Sequence, residues 1–322
     1  MKGVAFMKAI KCELCGSNSF TKVDGMFKCD YCGTKYTLEE VKKIMISGSV
    51  SIEGDVKVQQ ADFQIRGGVL EKYNGSATEV EIPGTVVAIG GAFSGCMGLT
   101  KVKIPNSVTV IGDTAFQCCS SLTNINIPNS VISIGEYAFR DCSSLQSLIF
   151  SNGITDIGYH AFENCSKLTN INIPNGITSI KEQTFSGCSS LKNVIIPDGV
   201  TSIEHDAFQG CSSLTSITFP NSVTNIYYNA FKNCSNLTKV TIPNSVISIG
   251  DDAFSNCIKL IDVEMDYNKI NFNSYPFKNT AFQKMQIQID RRKSSGLCQH
   301  CGGEFKGIFK KTCSICGKPK DY

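Results

Sequence analysis

Tryptophan is absent from the 322-residue chain, and histidine occurs only three times. No run of about 18 apolar residues is present, so the sequence offers no membrane-spanning helix. The G-x-S-x-G, G-x-x-x-x-G-K-[ST] and H-E-x-x-H motifs of common enzyme classes are also missing. His160 and His205 stand at different positions of the repeat described below, so they do not form a catalytic pair. These absences argue against an enzyme and favour a protein that acts by binding.

An export signal is a further feature that we do not find. The residues before Cys12 contain no apolar core of signal-peptide length. The chain nevertheless has 17 cysteines, which in an extracellular protein would suggest disulfides. The odd total and the missing signal together favour reduced thiols. We therefore predict a cytoplasmic protein, with non-classical export to a surface as the alternative.

The sequence repeats with a period of 23 residues. Phenylalanine recurs at this interval from Phe93 to Phe277, and cysteine recurs from Cys96 to Cys257. A fixed period of this size predicts a solenoid, in which stacked coils bury a continuous core. The Phe column is expected to be the spine of that core, with the Cys column packed beside it as small hydrophobes. A coil spacing of about 4.8 Å does not by itself exclude disulfides between neighbours.

Each repeat predicts the same sequence of local structures, as in IPNSVISIGEYAFRDCSSLQSLIF at 127–150. Leu122, Ile125 and Ile127 have the spacing of a short strand with alternate residues facing inward. Proline then ends the strand, a second inward run follows, and A-F-x-x-C predicts a single helical turn. A divergent first coil from Phe63 predicts an N-terminal cap, and Met285, Ile287 and Ile289 predict a final strand.

Two surfaces of this solenoid differ in composition. The outward strand positions of the middle coils are neutral and rich in asparagine, which is expected to hydrogen-bond along the ladder. The turn after the second strand instead collects aromatic and histidine side chains. The candidate partner-binding residues there are Tyr137, Tyr159, His160, His205, Tyr227 and Tyr228. The glycine that precedes this turn in other coils is replaced by Lys181, Glu204 and Tyr227 in three consecutive coils. An ordinary variable turn is the alternative interpretation.

Cysteine pairs at both ends of the chain predict two metal sites. The candidate ligands are Cys12, Cys15, Cys29 and Cys32 in the first module and Cys298, Cys301, Cys313 and Cys316 in the second. Two C-x-x-C knuckles supply four thiolates in a closed tetrahedral site, which is the pattern of structural Zn²⁺. His300 is surplus to such a set, and iron is the main chemical rival. We expect two zinc ions, each bound in the step that folds its module.

The charge is distributed unevenly along the chain. Residues 1–46, 47–290 and 291–322 carry net charges of +3, −6 and +6. Basic ends suit an anionic partner, although solubility is the simpler explanation. The candidate phosphate contacts are Arg291, Arg292, Lys293, Lys306, Lys310 and Lys311. Phe305 and Phe309 could stack on bases, so a nucleic-acid-associated adaptor is an alternative function.

The unit C-S-S-L-T-x-I-x-I-P-N-S-V-x-x-I-G-x-x-A-F resembles the BspA-type leucine-rich repeat over residues 60–290. The resemblance implies a curved right-handed solenoid with its strands on the concave side. Family members are often surface adhesion or host-interaction proteins, which gives a third candidate function. The terminal modules resemble zinc ribbons over roughly 20 residues each.

These observations together predict a mainly β repeat solenoid with short helical turns and a small zinc ribbon at each end. The predicted segments are an N-terminal zinc ribbon (1–36), a short helix and linker (37–62), the solenoid with caps (63–290), a basic linker (291–296) and a C-terminal zinc ribbon (297–322). The predicted function is a non-enzymatic scaffold that binds another protein.

Overall fold

The computed structural model describes residues 20–23, 26–29, 35–36, 62–150, 152–266, 270–272, 275–294, 305–306 and 312–313. Its strands, in chain order, are β1 (Phe20–Val23), β2 (Met26–Cys29), β3 (Lys35–Tyr36), β4 (Phe63–Arg66), β5 (Val69–Tyr73), β6 (Glu79–Glu81), β7 (Ala88–Ile89), β8 (Lys101–Lys103), β9 (Val110–Ile111), β10 (Asn124–Asn126), β11 (Ser133–Ile134), β12 (Ser147–Ile149), β13 (Asp156–Ile157), β14 (Asn170–Asn172), β15 (Ser179–Ile180), β16 (Asn193–Ile195), β17 (Ser202–Ile203), β18 (Ser216–Thr218), β19 (Asn225–Ile226), β20 (Lys239–Thr241), β21 (Ser248–Ile249), β22 (Asp262–Glu264), β23 (Asn271–Phe272), β24 (Phe305–Lys306) and β25 (Thr312–Cys313). One helix, α1, spans Ala281–Ser294.

Two ladders of short parallel strands form the solenoid. Pairing in the first ladder runs through β6, β8, β10 and β12, then β14 and β16, then β18, β20 and β22. Pairing in the second ladder runs from β5 through the odd-numbered strands to β13, and again from β15 to β23. Partners are one coil apart, as with Asn124 opposite Ser147 and Ile134 opposite Ile157. The predicted solenoid of 23-residue coils is confirmed.

The Phe column forms the predicted spine. The eight rings from Phe93 to Phe254 are fully buried, and their centroids follow one another at 5.1–5.6 Å from Phe93 to Phe277. Offset stacking at this spacing stabilises aromatic pairs beyond their area of burial. The N-terminal hairpin of β4 and β5 extends the stack, because Tyr73 lies 5.2 Å from Phe93 and Phe63 lies 5.3 Å from Tyr73. The predicted N-terminal cap therefore has a clear packing basis.

The A-F-x-x-C segment is a series of turns that also bonds to the next coil. Cys119 N–H donates to the Phe116 carbonyl within the turn, at 3.1 Å. Phe116 N–H instead donates to the Ala138 carbonyl of the following coil, at 2.7 Å. The predicted helical spacing is present within each turn. Every second backbone N–H, however, donates to the next coil, so the segment does not continue as a helix.

The C-terminal cap differs from the prediction, because Met285, Ile287 and Ile289 lie in α1 and not in a strand. The hydroxyl of Thr280 accepts a hydrogen bond from Gln283 N–H at 3.0 Å, which caps the start of the helix. The Gln283 side chain accepts one from Asn279 N–H at 2.9 Å. These contacts outweigh the short apolar alternation. The helix also includes 291–294, so the predicted basic linker is helical over its first four residues.

The terminal modules contain short antiparallel strands. In the first module, β1 pairs with β2, and β2 pairs with β3. In the second, β24 pairs with β25. Cys29 is the last residue of β2, and Cys313 is the last residue of β25. Within the part of the chain that the structure describes, no helix is long and apolar enough to cross a membrane.

Candidate functional site

The candidate partner-binding residues lie in two neighbouring rows, except for Tyr227, which directly precedes Tyr228 of the first row. We call the two rows and Tyr227 the turn edge. The first row is Asp113, Glu136, Tyr159, Glu182, His205, Tyr228 and Asp251, and the second is Thr114, Tyr137, His160, Gln183, Asp206, Asn229 and Asp252. Backbone bonds join the rows, because the second-row N–H donates to the first-row carbonyl of the next coil, at 3.0 Å for Tyr137 to Tyr159. The sequence-predicted residues are therefore brought to one edge.

Every second-row residue has a left-handed backbone, with φ between +54° and +57°. Bulky residues rarely adopt this conformation, and each such residue costs about 1–3 kcal/mol. Tyr137 and His160 are thus held by the hydrogen bonds of the stack in positions where Asn, Asp or Gly fits more easily. The repeat pattern alone did not reveal this constraint.

The first cluster on the turn edge is built around Tyr137 and His160, whose rings stack with centroids 4.6 Å apart. Glu163 Oε2 lies 3.0 Å from His160 Nδ1 and 2.9 Å from Arg140 Nε. The Arg140 guanidinium also lies 5.5 Å from the centre of the Tyr137 ring. Ion pairs and ring stacking join the members of this cluster, although Arg140 Nε lacks a well-aligned hydrogen bond among the described residues. Only 18% of the His160 side chain is exposed.

The second cluster is more open. His205 is exposed, and its ring lies 5.2 Å from Tyr227 and 6.3 Å from Tyr228. Tyr227 and Tyr228 are 40% and 44% exposed. The neighbouring Asn229 is 5% exposed, and its Oδ1 has no hydrogen-bond partner among the described residues. Tyrosine and histidine that are exposed in this way can supply both apolar contact and hydrogen bonds to a partner.

Tyr159 lies between the two clusters, and its ring contacts Lys181 instead of another ring. Lys181 Nζ lies 5.4 Å from its ring centre and 2.6 Å from Asp156 Oδ1. Glu182 and Gln183 separate it from His205 along the two rows. The six predicted residues thus share an edge but form two clusters and one linking tyrosine.

The nine cysteines from Cys96 to Cys257 are free thiols. From Cys119 onward the thiols of the column donate to a phenylalanine carbonyl of the preceding coil, as Cys188 does to Phe162 at 3.3 Å. Burial raises the pKa of Cys142 and of Cys188 to about 12, which keeps these thiols protonated and unreactive at neutral pH. Their packing role was predicted, and Cys118 beside the column remains half-buried.

The strand face consists of the outward side chains of the first ladder, and charge is confined to its ends. Lys103 Nζ lies 2.6 Å from Glu81 at one end, and Lys239 Nζ lies 2.7 Å from Glu264 at the other. In the neutral middle, Asn193 donates to Asn170 at 3.1 Å, as expected for asparagine rows. Ser147 likewise donates to Asn124 at 2.6 Å.

A cleft of about 460 Å³ opens in this neutral middle, between β12 and β14. Its lining includes Phe150 and Ile195, and it was not predicted from the sequence. The sequence does contain a departure from the repeat at this place. Phe150 replaces the isoleucine that precedes the proline in most coils, and residue 151 is serine instead of proline.

Most of the predicted metal ligands lie outside the described residues, namely Cys12, Cys15, Cys32, Cys298, Cys301 and Cys316. Cys29 and Cys313 are placed at strand ends, as noted above. No group of three or more His, Cys, Asp or Glu suited to a metal occurs within the described residues. The all-thiolate donor set of each module nevertheless fits zinc chemically.

Of the predicted phosphate contacts, Arg291 is exposed on α1. Arg292 and Lys293 lie in the same helix, and Lys306 lies in β24. Lys310 and Lys311 lie outside the described residues.

Comparison with known proteins identifies the family. The model of the BspA type leucine rich repeat region matches in six copies over residues 71–192 and 178–295, so the chain belongs to this family. Residues 8–37 match a second model, the zinc-finger of RNA-polymerase I-specific TFIIB, Rrn7. The comparison with curated proteins gave no match.

Two solved structures with a similar fold come from Bacteroides ovatus and Eubacterium ventriosum. A leucine-rich repeat protein from Bacteroides ovatus is 31% identical, with a TM-score of 0.59 over 72% of this chain and 66% of that chain. A leucine-rich repeat protein from Eubacterium ventriosum is 22% identical, with a TM-score of 0.53 over 70% of this chain and 64% of that chain. The second similarity concerns the fold alone.

Proposed function

We propose that the protein is a non-enzymatic scaffold that binds another protein through the turn edge. The observation that carries this proposal is the exposed group of His205, Tyr227 and Tyr228 on a rigid stack. Tyrosine is enriched among residues that dominate binding energy at protein interfaces. Membership of a repeat family is consistent with an interaction role, because a solenoid offers an extended surface.

The acidic side chains of the turn edge favour a partner with a basic surface. Glu136, Glu182 and Asp251 share the first row with His205 and Tyr228. A partner surface with basic residues around an apolar centre would complement them. Such complementarity acts mainly on association rate and specificity.

The test replaces three exposed turn-edge side chains together, with Tyr159→Ala, His205→Ala and Tyr228→Ala. A photo-crosslinker at Tyr227 in the full chain first identifies the bound protein, and affinity is then measured with purified components. We expect the triple variant to bind at least about tenfold more weakly, because hot-spot residues each contribute 2 kcal/mol or more. The control is Asn126→Ala, Thr218→Ala and Thr241→Ala on the strand face. Unchanged affinity of the triple variant contradicts the proposal.

We also propose that both cysteine-rich modules bind structural zinc. The zinc-finger match over residues 8–37 supports the first site, and the four-cysteine donor set supports the second. Native mass spectrometry of protein purified without chelator should find two zinc ions and no disulfides. This result also supports the proposed cytoplasmic location, since export would favour oxidised thiols. A metal-free, disulfide-bonded chain would contradict both and would favour surface adhesion.

A nucleic-acid-associated adaptor is the second candidate, favoured by the zinc-finger match and by exposed Arg291 at the basic C-terminal end. Binding through phosphates should weaken steeply as salt rises. Fluorescence anisotropy with duplex DNA and with single-stranded RNA measures this slope. Lys306→Gln, Lys310→Gln and Lys311→Gln should reduce it, and salt-independent binding would exclude this candidate.

A further inference from the structure

Two of the four tyrosines of the turn edge have a cation of their own chain beside the ring. Lys181 Nζ lies 5.4 Å from the centre of the Tyr159 ring, and the Arg140 guanidinium lies 5.5 Å from that of Tyr137. A cation over an aromatic face is attracted by the negative charge of that face. The two tyrosines of the second cluster have no such contact among the described residues.

Each of these two cations is also paired with a carboxylate. Lys181 Nζ lies 2.6 Å from Asp156 Oδ1, and Arg140 Nε lies 2.9 Å from Glu163 Oε2. The turn edge thus repeats one arrangement, in which a cation contacts a tyrosine ring and a carboxylate together. The second cluster contains the rings and the carboxylates of this arrangement, as shown below.

The repeat explains why the chain supplies no cation to Tyr228. Tyr228 lies in the same row as Tyr159, three coils further along the chain. Lys181 belongs to the coil after Tyr159, and its counterpart in the coil after Tyr228 is Gly250. A Cβ built at Gly250 would lie 2.6 Å from Tyr228 N, so the two backbones pack directly on each other. A cation at Tyr228 must therefore come from another molecule.

The rings of the second cluster leave their faces open to solvent. The His205 ring is inclined by 59° to the Tyr227 ring and by 55° to the Tyr228 ring. Stacked rings cover each other's faces, whereas inclined rings do not. All three side chains are exposed. A flat cationic group can therefore approach a tyrosine face here without displacing another ring.

The turn positions around these rings carry an excess of negative charge. Positions 204–206, 227–229 and 250–252 contain no lysine or arginine, and their carboxylates are Glu204, Asp206, Asp251 and Asp252. Asp206 and Asp251 belong to the coils before and after Tyr228, about 4.8 Å away along the stack. Asp206 N–H donates to the Tyr228 carbonyl at 3.0 Å, which fixes it beside this coil. Lys232 follows in the same coil and offsets one of the four charges.

We propose that the second cluster binds an arginine side chain of the partner protein. The guanidinium lies over the Tyr228 ring, and Asp206 or Asp251 accepts its hydrogen bonds. Arginine suits this place better than lysine, because its planar guanidinium both stacks on aromatic faces and pairs with a carboxylate through two bonds. The inference rests on the function proposed for the turn edge, since it names the chemistry that the partner presents there.

The test uses the full chain with ¹³C-labelled tyrosine rings and two capped peptides. N-acetyl-Gly-Arg-Gly-amide should shift the ring signals of Tyr228 in a saturable way. The matched peptide with citrulline has nearly the same shape but no charge, and it should bind at least about fivefold more weakly. No saturable shift, or equal binding of the two peptides, would overturn the inference.

Variants assign the binding to the ring and to the carboxylates. Tyr228→Leu keeps an apolar side chain without an aromatic face, and it should weaken binding at least about threefold, as followed on the Tyr227 ring. Asp206→Asn with Asp251→Asn should have an effect of about the same size. Asparagine tolerates the left-handed backbone of Asp206, where φ is +56°.

The matched control is Asp113→Asn, which changes the same charge in the row of Tyr228 but five coils away. It should leave peptide binding unchanged, because salt screens charges at that separation. Unchanged binding in the first two variants, or an equal loss in the control, would contradict the site.

The two proposals for the turn edge can fail separately. If the arginine peptide does not bind but the turn-edge triple variant still loses affinity for its partner, only the arginine inference is wrong. If the peptide binds as expected but the triple variant keeps its affinity for the partner, the proposed function is wrong instead.

Discussion

Two successive steps of the same solenoid differ in how tightly their coils are joined. Between the coils of Phe139 and Phe162, both ladders are continuous and the rings are 5.2 Å apart. At the next step, from Phe162 to Phe185, both ladders are interrupted and the rings are 5.6 Å apart, and we call this the split step. The comparison shows that the buried spine and the backbone hydrogen bonds of the turns, such as the 2.9 Å bond from Phe162 N–H to the Thr184 carbonyl, continue even where the strand pairing does not.

The largest expected effect comes from removing a ring of the spine. Phe139→Ala should lower the free energy of unfolding by about 3–5 kcal/mol, because it leaves a cavity in a closely packed stack. Phe185→Ala should cost less, because the wider split step already packs that ring less closely on one side. Urea denaturation of both variants measures the difference. Equal or larger destabilisation by Phe185→Ala would contradict the comparison.

A smaller effect is expected from adding one methyl group at the turn. Gly158→Ala should destabilise the protein by about 1–3 kcal/mol, since the new Cβ crowds Glu136 N in the tight step. Lys181→Ala is the matched change at the split step and should cost less than about 1 kcal/mol, the value of an exposed ion pair. The same urea titration compares them. If the two variants are equally stable, the glycine does not control the spacing.

The cysteine column should make stability sensitive to alkaline pH on both sides of the split step. Burial raises the pKa of Cys142 and Cys188 to about 12 in the folded chain, whereas a thiol in the unfolded chain titrates near 8.5. Stability from this source is complete below the unfolded value and is lost as pH rises from there toward 12.

Urea midpoints measured between pH 7.5 and 10.5 should therefore fall with rising pH. Cys142→Ala and Cys188→Ala should each reduce the slope, although each change also lowers stability at neutral pH. A slope that neither variant alters would contradict the assignment of this sensitivity to the buried thiols.

The smallest expected effect is at the cleft itself. Ile149→Lys changes a side chain that is 69% exposed, so the free energy of unfolding should change by no more than about 0.5 kcal/mol. The same isoleucine-to-lysine change at buried Ile125 on β10, which faces the core, should be severely destabilising, because it buries an unpaired charge. Thermal denaturation is sufficient for this comparison. A large loss of stability in Ile149→Lys would mean that Ile149 has a structural role.

The repeat predicted the fold because its signals agree with one another. Phe93 to Phe277, the cysteine column and the strand alternation all have the same period, so each supports the same coil. The exposed turn-edge positions of Tyr159, Tyr227 and Tyr228 followed from that period alone. Features that break the period were harder to predict, because they depend on contacts between coils.

The helix α1 shows this limit at the end of the array. Met285 and Ile287 alternate as in a strand, but the cap from Thr280 and the packing of Phe282 on Phe277 favour a helix. The cleft shows the same limit in the middle of the array. Phe150 is visible as a departure in the sequence, yet only the structure shows that β12 and β14 do not pair after it.

Hydrogen exchange of the native full chain tests the central claim most directly. The main-chain amides of β10, which pairs on both sides, should be more strongly protected than those of β14, which pairs on one side only. Restoring the repeat beside β14 with Phe150→Ile and Ser151→Pro should raise the protection of β14. Equal protection of β10 and β14 before restoration, with no change after it, would contradict the existence of the split step.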